Sequence, residues 1–449
     1  MHDDSISTVD GRYYYELQDI RDKLTEKEFF RERIYVELKY LQQLIDAGLL
    51  KVSPVSAEEF MKKVDENWYN RVKYLEDEVK HDVKATELYV RELLDKNGRN
   101  DVAPYVHIGL TSEDVNSNAL GAMYLNALKQ TMKVYSELVL KLIEVARAQA
   151  STVMIARTHG VPAVPTTFGK EMASYAIRLS QSMKGACTNR PYGKLSGAVG
   201  SYNAMHLLNP DFDWISFAKN FVESLGLRFI PVTKQTAPIE GLSDSLHYIV
   251  QVNYIMQELS RDLWMYNMLG LVRFERTGVS SSTMPHKVNP VDLEDSEGQA
   301  KVSNSLLLLI AYDTIPTRME RDLSDSTVRR NLWQGLAHSF ISARRLLKSL
   351  NYMIVNGDAM REEAMAHPEV LSEAVQVSIR AQGNEKGYEE VMQKLKNLDK
   401  MKGLVAGELG NRLKSLTPLD YSGLSEKQAL LAADTVVKII DDLECQQIT

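Results

Sequence analysis

The stretch SEDVNSNALGAMYLNALKQTMKVYSELVLKLIEVARAQA, residues 112–150, contains no proline and places apolar side chains at Leu120, Met123, Leu128, Met132, Tyr135, Leu138, Leu142 and Val145. Mixed three- and four-residue spacing is the period of an α-helix. Thr111 and Asp114 stand at its start in the S/T-x-x-E/D arrangement of a capping box. At about 1.5 Å per residue, a helix of about 35 residues runs about 50 Å, longer than an ordinary domain helix. Its second half is apolar on more than one face, as in LVLKLI at 138–143, so it meets neighbours on several sides, other subunits included.

Working outward, the same pattern predicts helices over 169–184, 243–272, 292–313 and 331–355, while strand signals are confined to short pieces such as 228–232. Long helices bury their apolar stripes by lying side by side. The fold expected is therefore all-α, with a central long-helix bundle over 100–350, a smaller helical region before it (1–99) and a helical C-terminal region after it (351–449). The strongest apolar run, SNSLLLLIAY at 303–312, is about half of a membrane span and reads as buried helix.

The chain of 449 residues is 44% hydrophobic, enough for a large core, and carries a net charge of −7, which argues against a nucleic-acid scaffold. Any anionic ligand must be gripped locally. The two cysteines, Cys187 and Cys445, lack CxxC or CxxH spacing, so neither a disulfide framework nor a thiolate metal site is expected, and a reducing cytoplasm fits. The N-terminal MHDDSISTVDGRYYY is acidic and has no apolar core, unlike a signal peptide. There is no Gly-rich dinucleotide fingerprint, no Walker loop and no metal-ligand spacing among the histidines, so no cofactor and no metal is expected.

Several motifs could carry chemistry. VSSSTMPHKVNP, residues 279–290, concentrates hydroxyls, a lysine and an amide between helical runs. A Ser/Pro-rich segment there is ordinarily a surface loop, but a serine can act as a base when backbone amides and a nearby cation stabilise its alkoxide, and Lys287 lies six residues after Ser281. In ARTHGVPAVPTTFGKEM, residues 156–172, His159 sits between a long helix and a proline-punctuated turn; a lone histidine is more often structural, yet this setting could present it to a cleft. KHDVKA (80–85) and HIGLTSED (107–114) read singly as caps or solvated helix ends. In RDLSDSTVRRN (321–331), Ser326 and Arg330 are four apart and share a helix face that could grip a phosphate. An anion-binding set, a histidine acid and a serine base together suit an elimination in which a carbon loses a proton and a leaving nitrogen gains one.

SSTMPHKVNP resembles the signature loop of the fumarase/aspartase superfamily, and RTHG, TSED, KHDVKA and VDGRY in the same order resemble the adenylosuccinate lyases, nearest to their longer bacterial type. The resemblance is collinear from Asp10 to about Asn331. It implies a homotetramer of three-domain helical subunits with a shared helical core and active sites built from several chains. It also implies β-elimination of fumarate from adenylosuccinate and from the succinyl-carboxamide ribotide of purine synthesis, small-molecule nucleotide substrates handled without a cofactor. By the same resemblance Ser281 is the general base, His159 the general acid, and Glu294 the carboxylate that orients the histidine. Lys287 and Asn289 would stabilise a carbanion intermediate, with Thr111, Ser112, Thr158 and Ser282 around the succinyl carboxylates. Arg12 and Tyr13 match a substrate-binding pair; Arg321, Ser326 and Arg330 match phosphate and ribose contacts; His81, Asp82, His107 and Gln235 match further binding positions. The signature loop would close over substrate to deliver Ser281.

This chain departs from the family pattern at Val161 in place of Gln, Ser280 in place of Gly, Lys80 in place of a small polar residue and Asp295 in place of Asn. None removes a proton-transfer group. Argininosuccinate lyase or a carboxymuconate cycloisomerase remains the alternative within enzymes, and a non-catalytic helical oligomer the alternative outside them; the phosphate-side residues of 321–330 and 80–85 favour a nucleotide substrate.

Overall fold

The computed structural model describes residues 5–275, 283–284, 286–394, 400, 402–403 and 405–447. Its helices are α1 (Glu26–Asp46), α2 (Ala57–Met61), α3 (Trp68–Val79), α4 (Asp82–Lys96), α5 (Ser112–Ala148), α6 (Phe168–Thr188), α7 (Asn203–Leu208), α8 (Trp214–Ser224), α9 (Glu240–Met268), α10 (Val291–Asp313), α11 (Ser324–Arg329), α12 (Leu332–Asn351), α13 (Gly357–Ala366), α14 (Ser372–Ala381), α15 (Gly387–Lys394), α16 (Gly407–Ser415), α17 (Ser425–Asp441) and α18 (Glu444–Gln447). Short strands β1 (Val153–Thr158) and β2 (Val161–Thr167), β3 (Tyr192–Gly193) and β4 (Arg228–Phe229), and β5 (Val272–Phe274) and β6 (Met353–Val355) form two-stranded pairs. The all-α class holds.

The helix read from 112–150 spans 37 residues and is closed at its start by the expected box, in which the Asp114 carboxylate accepts from the Thr111 backbone N–H at 2.8 Å. Leu128, Met132, Tyr135, Leu138 and Leu142 are buried along it. Helices α6, α9, α10 and α12 lie alongside and complete one long core, and α17 returns from the C-terminal region to bury Ala429, Ala433, Val436 and Ile440 in the same core. Polar pairs fix helix register inside it: Tyr124 with Ser245 at 2.6 Å, and Asn253 with Ser303 at 2.9 Å. A second cluster, running from Phe30 to Val106, joins α1 to α2, α3 and α4, and a small third one, from Ala374 to Leu413, lies in the C-terminal region.

The structure corrects the sequence reading in four places. The stretch after α5 is a β-hairpin rather than a proline-punctuated turn, with Pro162 and Pro165 carried in β2 of a two-stranded sheet, where a missing N–H can face away from the ladder. The predicted helix over 331–355 stops at Asn351 and its tail becomes β6, paired with β5. In the run 303–312, Leu307 and Ile310 are buried but Leu309 and Tyr312 are exposed, so this helix is buried on one side only. Finally, Cys187 and Cys445 are joined in a disulfide across 258 residues, both sulfurs inside the core. Local cysteine spacing cannot register a pairing that depends on α18 docking against α6.

Candidate active site

Two helix N-termini converge at one end of the bundle. His81 caps α4, its Nδ1 accepting from the Lys84 N–H at 3.2 Å, which leaves Nε2 to carry the proton of the neutral ring. Thr111 caps α5. His81, Asp82, Thr111, Ser112, Gln235, Arg321, Ser326 and Arg330, from segments scattered over 250 positions of sequence, line a single cavity of about 470 Å³. Two helix N-termini and several cations make it a receptacle for an anion.

Residues that sequence reasoning missed hold this cavity in shape. Arg33, 3% exposed, pairs with Asp82 at 2.7 Å and donates from Nε to Asn116 at 2.8 Å, its guanidinium stacked 4.1 Å from the Phe29 ring. Burial raises the Asp82 carboxyl, but the Arg33 charge and the Val83 N–H outweigh it and hold the group below the usual range. Glu113 is buried and binds Arg321 at 3.1 Å, while Asp325 takes Arg321 at 2.6 Å and also pairs with Arg329. Arg330 has no carboxylate partner among the described residues and is exposed, a cation left over for a ligand. The signal for Arg33 lay in the sequence: it and Glu37 occupy core positions of an amphipathic helix between Phe30, Ile34, Leu38 and Leu41, where only paired charges are tolerated.

His107 is not on the cavity wall. Its Nδ1 lies 2.6 Å from Oε1 of the fully buried Glu37; burial lowers its pKa, but the Glu37 hydrogen bond and charge prevail and raise it above the ordinary value. Lys80 does reach the cavity, from a left-handed C-cap with φ of 55°.

The remaining residues lie elsewhere. His159 and Gly160, with φ of 56° and 77°, form the two-residue turn between Thr158 and Val161, the signature of a type I′ hairpin. Thr158, His159 and Val161 are exposed at this tip, and Arg157 ties the strand to α13 through Glu363. Glu294, in the first turns of α10, accepts from Trp264 Nε1 at 3.2 Å and is exposed. Lys287 is exposed and Asn289 half-buried just before α10, whereas Ser281, Ser282 and the Ser280 departure lie outside the described residues. Tyr13 donates to Asp295 at 3.2 Å, and Arg12 is exposed beside it.

A length now decides what one chain can do. Thr111 starts α5 and the His159 hairpin follows its far end, 37 residues on, a rise of about 55 Å. Residues 149–152 are held in turns, Ala150 N–H to the Arg147 carbonyl and Thr152 N–H to that of Gln149, and the 6 residues of strand β1, even folded straight back along the helix, could recover only about 20 Å. His159 and the cavity of the same chain are thus more than about 30 Å apart, too far for one small molecule to touch both. No hydrogen bond or ion pair joins His159 to Glu294 among the described residues. Glu294 also lies on the exposed face of α10 that continues through Val302, Leu309 and Tyr312.

A family model described as "Lyase" matches residues 11–302, and one described as "Adenylosuccinate lyase C-terminal" matches residues 317–422. The chain is 33% identical over 441 residues to the adenylosuccinate lyase of Legionella pneumophila (strain Corby), covering 94% of this chain and 97% of that one. It is also 33% identical over 441 residues to that of Escherichia coli (strain K12), covering 93% and 96%, and 30% identical over 453 residues to that of Dictyostelium discoideum, covering 94% and 96%. The fold is shared with a 3-carboxy-cis,cis-muconate lactonizing enzyme from Pseudomonas putida (TM-score 0.72, 19% identity, 94% and 97% covered) and a fumarate lyase from Mesorhizobium sp. BNC1 (TM-score 0.74, 15% identity, 92% and 97% covered). The chain belongs to the adenylosuccinate lyase family of the fumarase/aspartase superfamily, carbon–nitrogen lyases.

Proposed function

We propose that this chain eliminates fumarate from adenylosuccinate, giving AMP, and from succinylaminoimidazole carboxamide ribotide, giving the carboxamide ribotide, in sites shared between the chains of a homotetramer. The observation that carries the reading is the gathering of Arg321, Ser326, Arg330, His81 and Thr111 around one cavity of about 470 Å³, with Arg330 lacking a carboxylate partner among the described residues, a setting suited to a nucleotide phosphate and ribose.

In this mechanism the Ser281 alkoxide takes the proton from the succinyl carbon beside a carboxylate; the role rests on the motif, since Ser281 lies outside the described residues. Lys287 and Asn289 stabilise the carbanion while its electrons wait to form the fumarate double bond. The carbon–nitrogen bond then breaks, and His159 hands a proton to the departing nitrogen with Glu294 orienting it. Ser282, Thr158, Thr111 and Ser112 bind the succinyl carboxylates; Arg12, Tyr13, Asp82 and Gln235 complete the substrate shell, whereas His107, a binding position by the motif alone, pairs with Glu37 instead. Because His159 of one chain lies more than about 30 Å from that chain's cavity, a second chain must supply it. The exposed apolar residues Tyr254, Val302, Leu309 and Tyr312 on the long helices fit a partner seated there. The division at 1–99, 100–350 and 351–449 belongs to the same reading; the second and third clusters fall mostly in the outer two segments, while the main core draws residues from all three. So does a cytoplasmic location, with the Cys187–Cys445 bond enclosed in the core; among the described residues no helix is long and apolar enough to cross a membrane.

The test is steady-state kinetics on both succinylated nucleotides, followed by ultraviolet absorbance. Saturable turnover of adenylosuccinate to AMP and fumarate supports the assignment, and turnover of argininosuccinate alone would replace it.

A further inference from the structure

Asp295, which stands where the family pattern carries Asn, lies at the centre of a charged network that the proposed mechanism does not use. Its Oδ1 accepts from the Tyr13 hydroxyl at 3.2 Å and from Gln299 Nε2 at 3.0 Å, while its Oδ2 sits 2.9 Å from Arg345 Nε in an ion pair. Arg345 also pairs with Glu16 at 2.7 Å and with Asp292 at 3.0 Å, and the neighbouring Arg344 donates to the Glu16 carbonyl at 3.1 Å. Residues 13–16 are therefore tied at both ends, through Tyr13 to α10 and through Glu16 to α12. An asparagine at 295 could still accept from Tyr13 but would leave Arg345 without its third carboxylate. Conversely, without Arg345 the carboxylate of Asp295 would lose its ion-pair partner, while Asp292 would keep Lys348 at 2.9 Å.

We infer that Asp295 is a positioning residue that anchors the N-terminal segment bearing Arg12 and Tyr13 to α10, the helix bearing Glu294, with Arg345 completing the anchor. Arg12 is exposed and adjacent, so fixing the Tyr13 hydroxyl fixes the direction in which Arg12 leaves the surface. The inference rests on the proposed function for the role of Arg12 and Tyr13 in substrate binding, but the anchor itself is a property of this chain.

The experiment compares Asp295→Leu, Asp295→Asn, Tyr13→Phe and the double variant Asp295→Leu/Tyr13→Phe by hydrogen exchange over residues 8–18 and by kinetics on adenylosuccinate. Asp295→Leu should speed exchange of that segment about tenfold and raise KM about tenfold while changing kcat less than about twofold. Asp295→Asn, which retains the acceptor, should raise KM only about threefold, and the double variant should be no worse than the poorer single one. Wild-type exchange in Asp295→Leu overturns the anchor. A fall in kcat at unchanged KM, or additive effects of the two substitutions, overturns the positioning role. Should Asp295→Leu fail to fold, Asp295→Ala, which also removes the acceptor, takes its place in the cycle with Tyr13→Phe and is read by the same criteria. A wild-type protein that ignores adenylosuccinate would sink the proposed function, and the exchange measurement would still decide whether Asp295 anchors the segment.

Discussion

The two ends of the long bundle are built on opposite plans. At the start of α5, carboxylates and guanidiniums are buried or half-buried and paired with each other: Arg33 with Asp82, and Arg321 with Glu113 and Asp325, so the cavity walls stand ready before any ligand arrives. At the far end, His159 rides on an exposed hairpin turn, Glu294 faces outward from α10, and Lys287 is exposed. Buried ion pairs held by further hydrogen bonds confer fixed geometry, while exposed groups take theirs largely from whatever packs on them. One end is a finished half-site; the other is a set of tools presented to a second chain.

The largest effect should come from the presented end. His159→Ala removes the proton donor to the leaving nitrogen, and we expect kcat on adenylosuccinate to fall about a thousandfold with binding of AMP retained. Near wild-type turnover in that variant would leave the hairpin with a structural role only.

A smaller effect should follow from loosening the strut between the ends. Leu128 is fully buried midway along α5, and Leu128→Ala should destabilise the protein by about 3 kcal/mol in a single unfolding transition. Two transitions would mean that the ends fold separately and that α5 does not fix their spacing.

The smallest concerns pH, at Glu32 on α1 where it meets Asn126 of the strut. Burial, aided by Glu28, lifts the Glu32 carboxyl to about 7, against a partly offsetting hydrogen bond from Asn126. A folded value above the free value of 4.5 means that the native state holds this proton more tightly. The stability it contributes is therefore present below the free value and lost as pH rises through about 7. Glu32→Gln should match the wild type at low pH and exceed it by about 2 kcal/mol above neutrality, measured by denaturant titration. Equal stability at all pH values would show Glu32 to be solvated.

The same contrast explains what could be read in the sequence. The strut was legible to within a few residues, because an uninterrupted helical period and a capping box are local signals, carried by Leu128, Met132 and Asp114. The motifs of both ends were legible as a resemblance. The hairpin was not, although His-Gly between Thr158 and Val161 has the chemistry of a tight turn, because two prolines in the second strand masked its extended pattern. Arg33 and Glu37 were missed because a charge on the apolar stripe of α1 has meaning only once its partner, Asp82 or His107, is known. Pairing of Cys187 with Cys445 required the return of the C-terminal helices to α6, which no local pattern encodes.

The most direct measurement is subunit complementation. His159→Ala and Arg330→Ala proteins, each inactive or severely impaired, are mixed under conditions where native mass spectrometry registers exchanged tetramers, and turnover of adenylosuccinate is followed. Sites that take the hairpin of one chain and the cavity of another should recover up to about a quarter of wild-type activity. If hybrid tetramers form and activity stays at the level of the separate variants, His159 and Arg330 do not meet across chains, and the division of labour between the two ends is wrong.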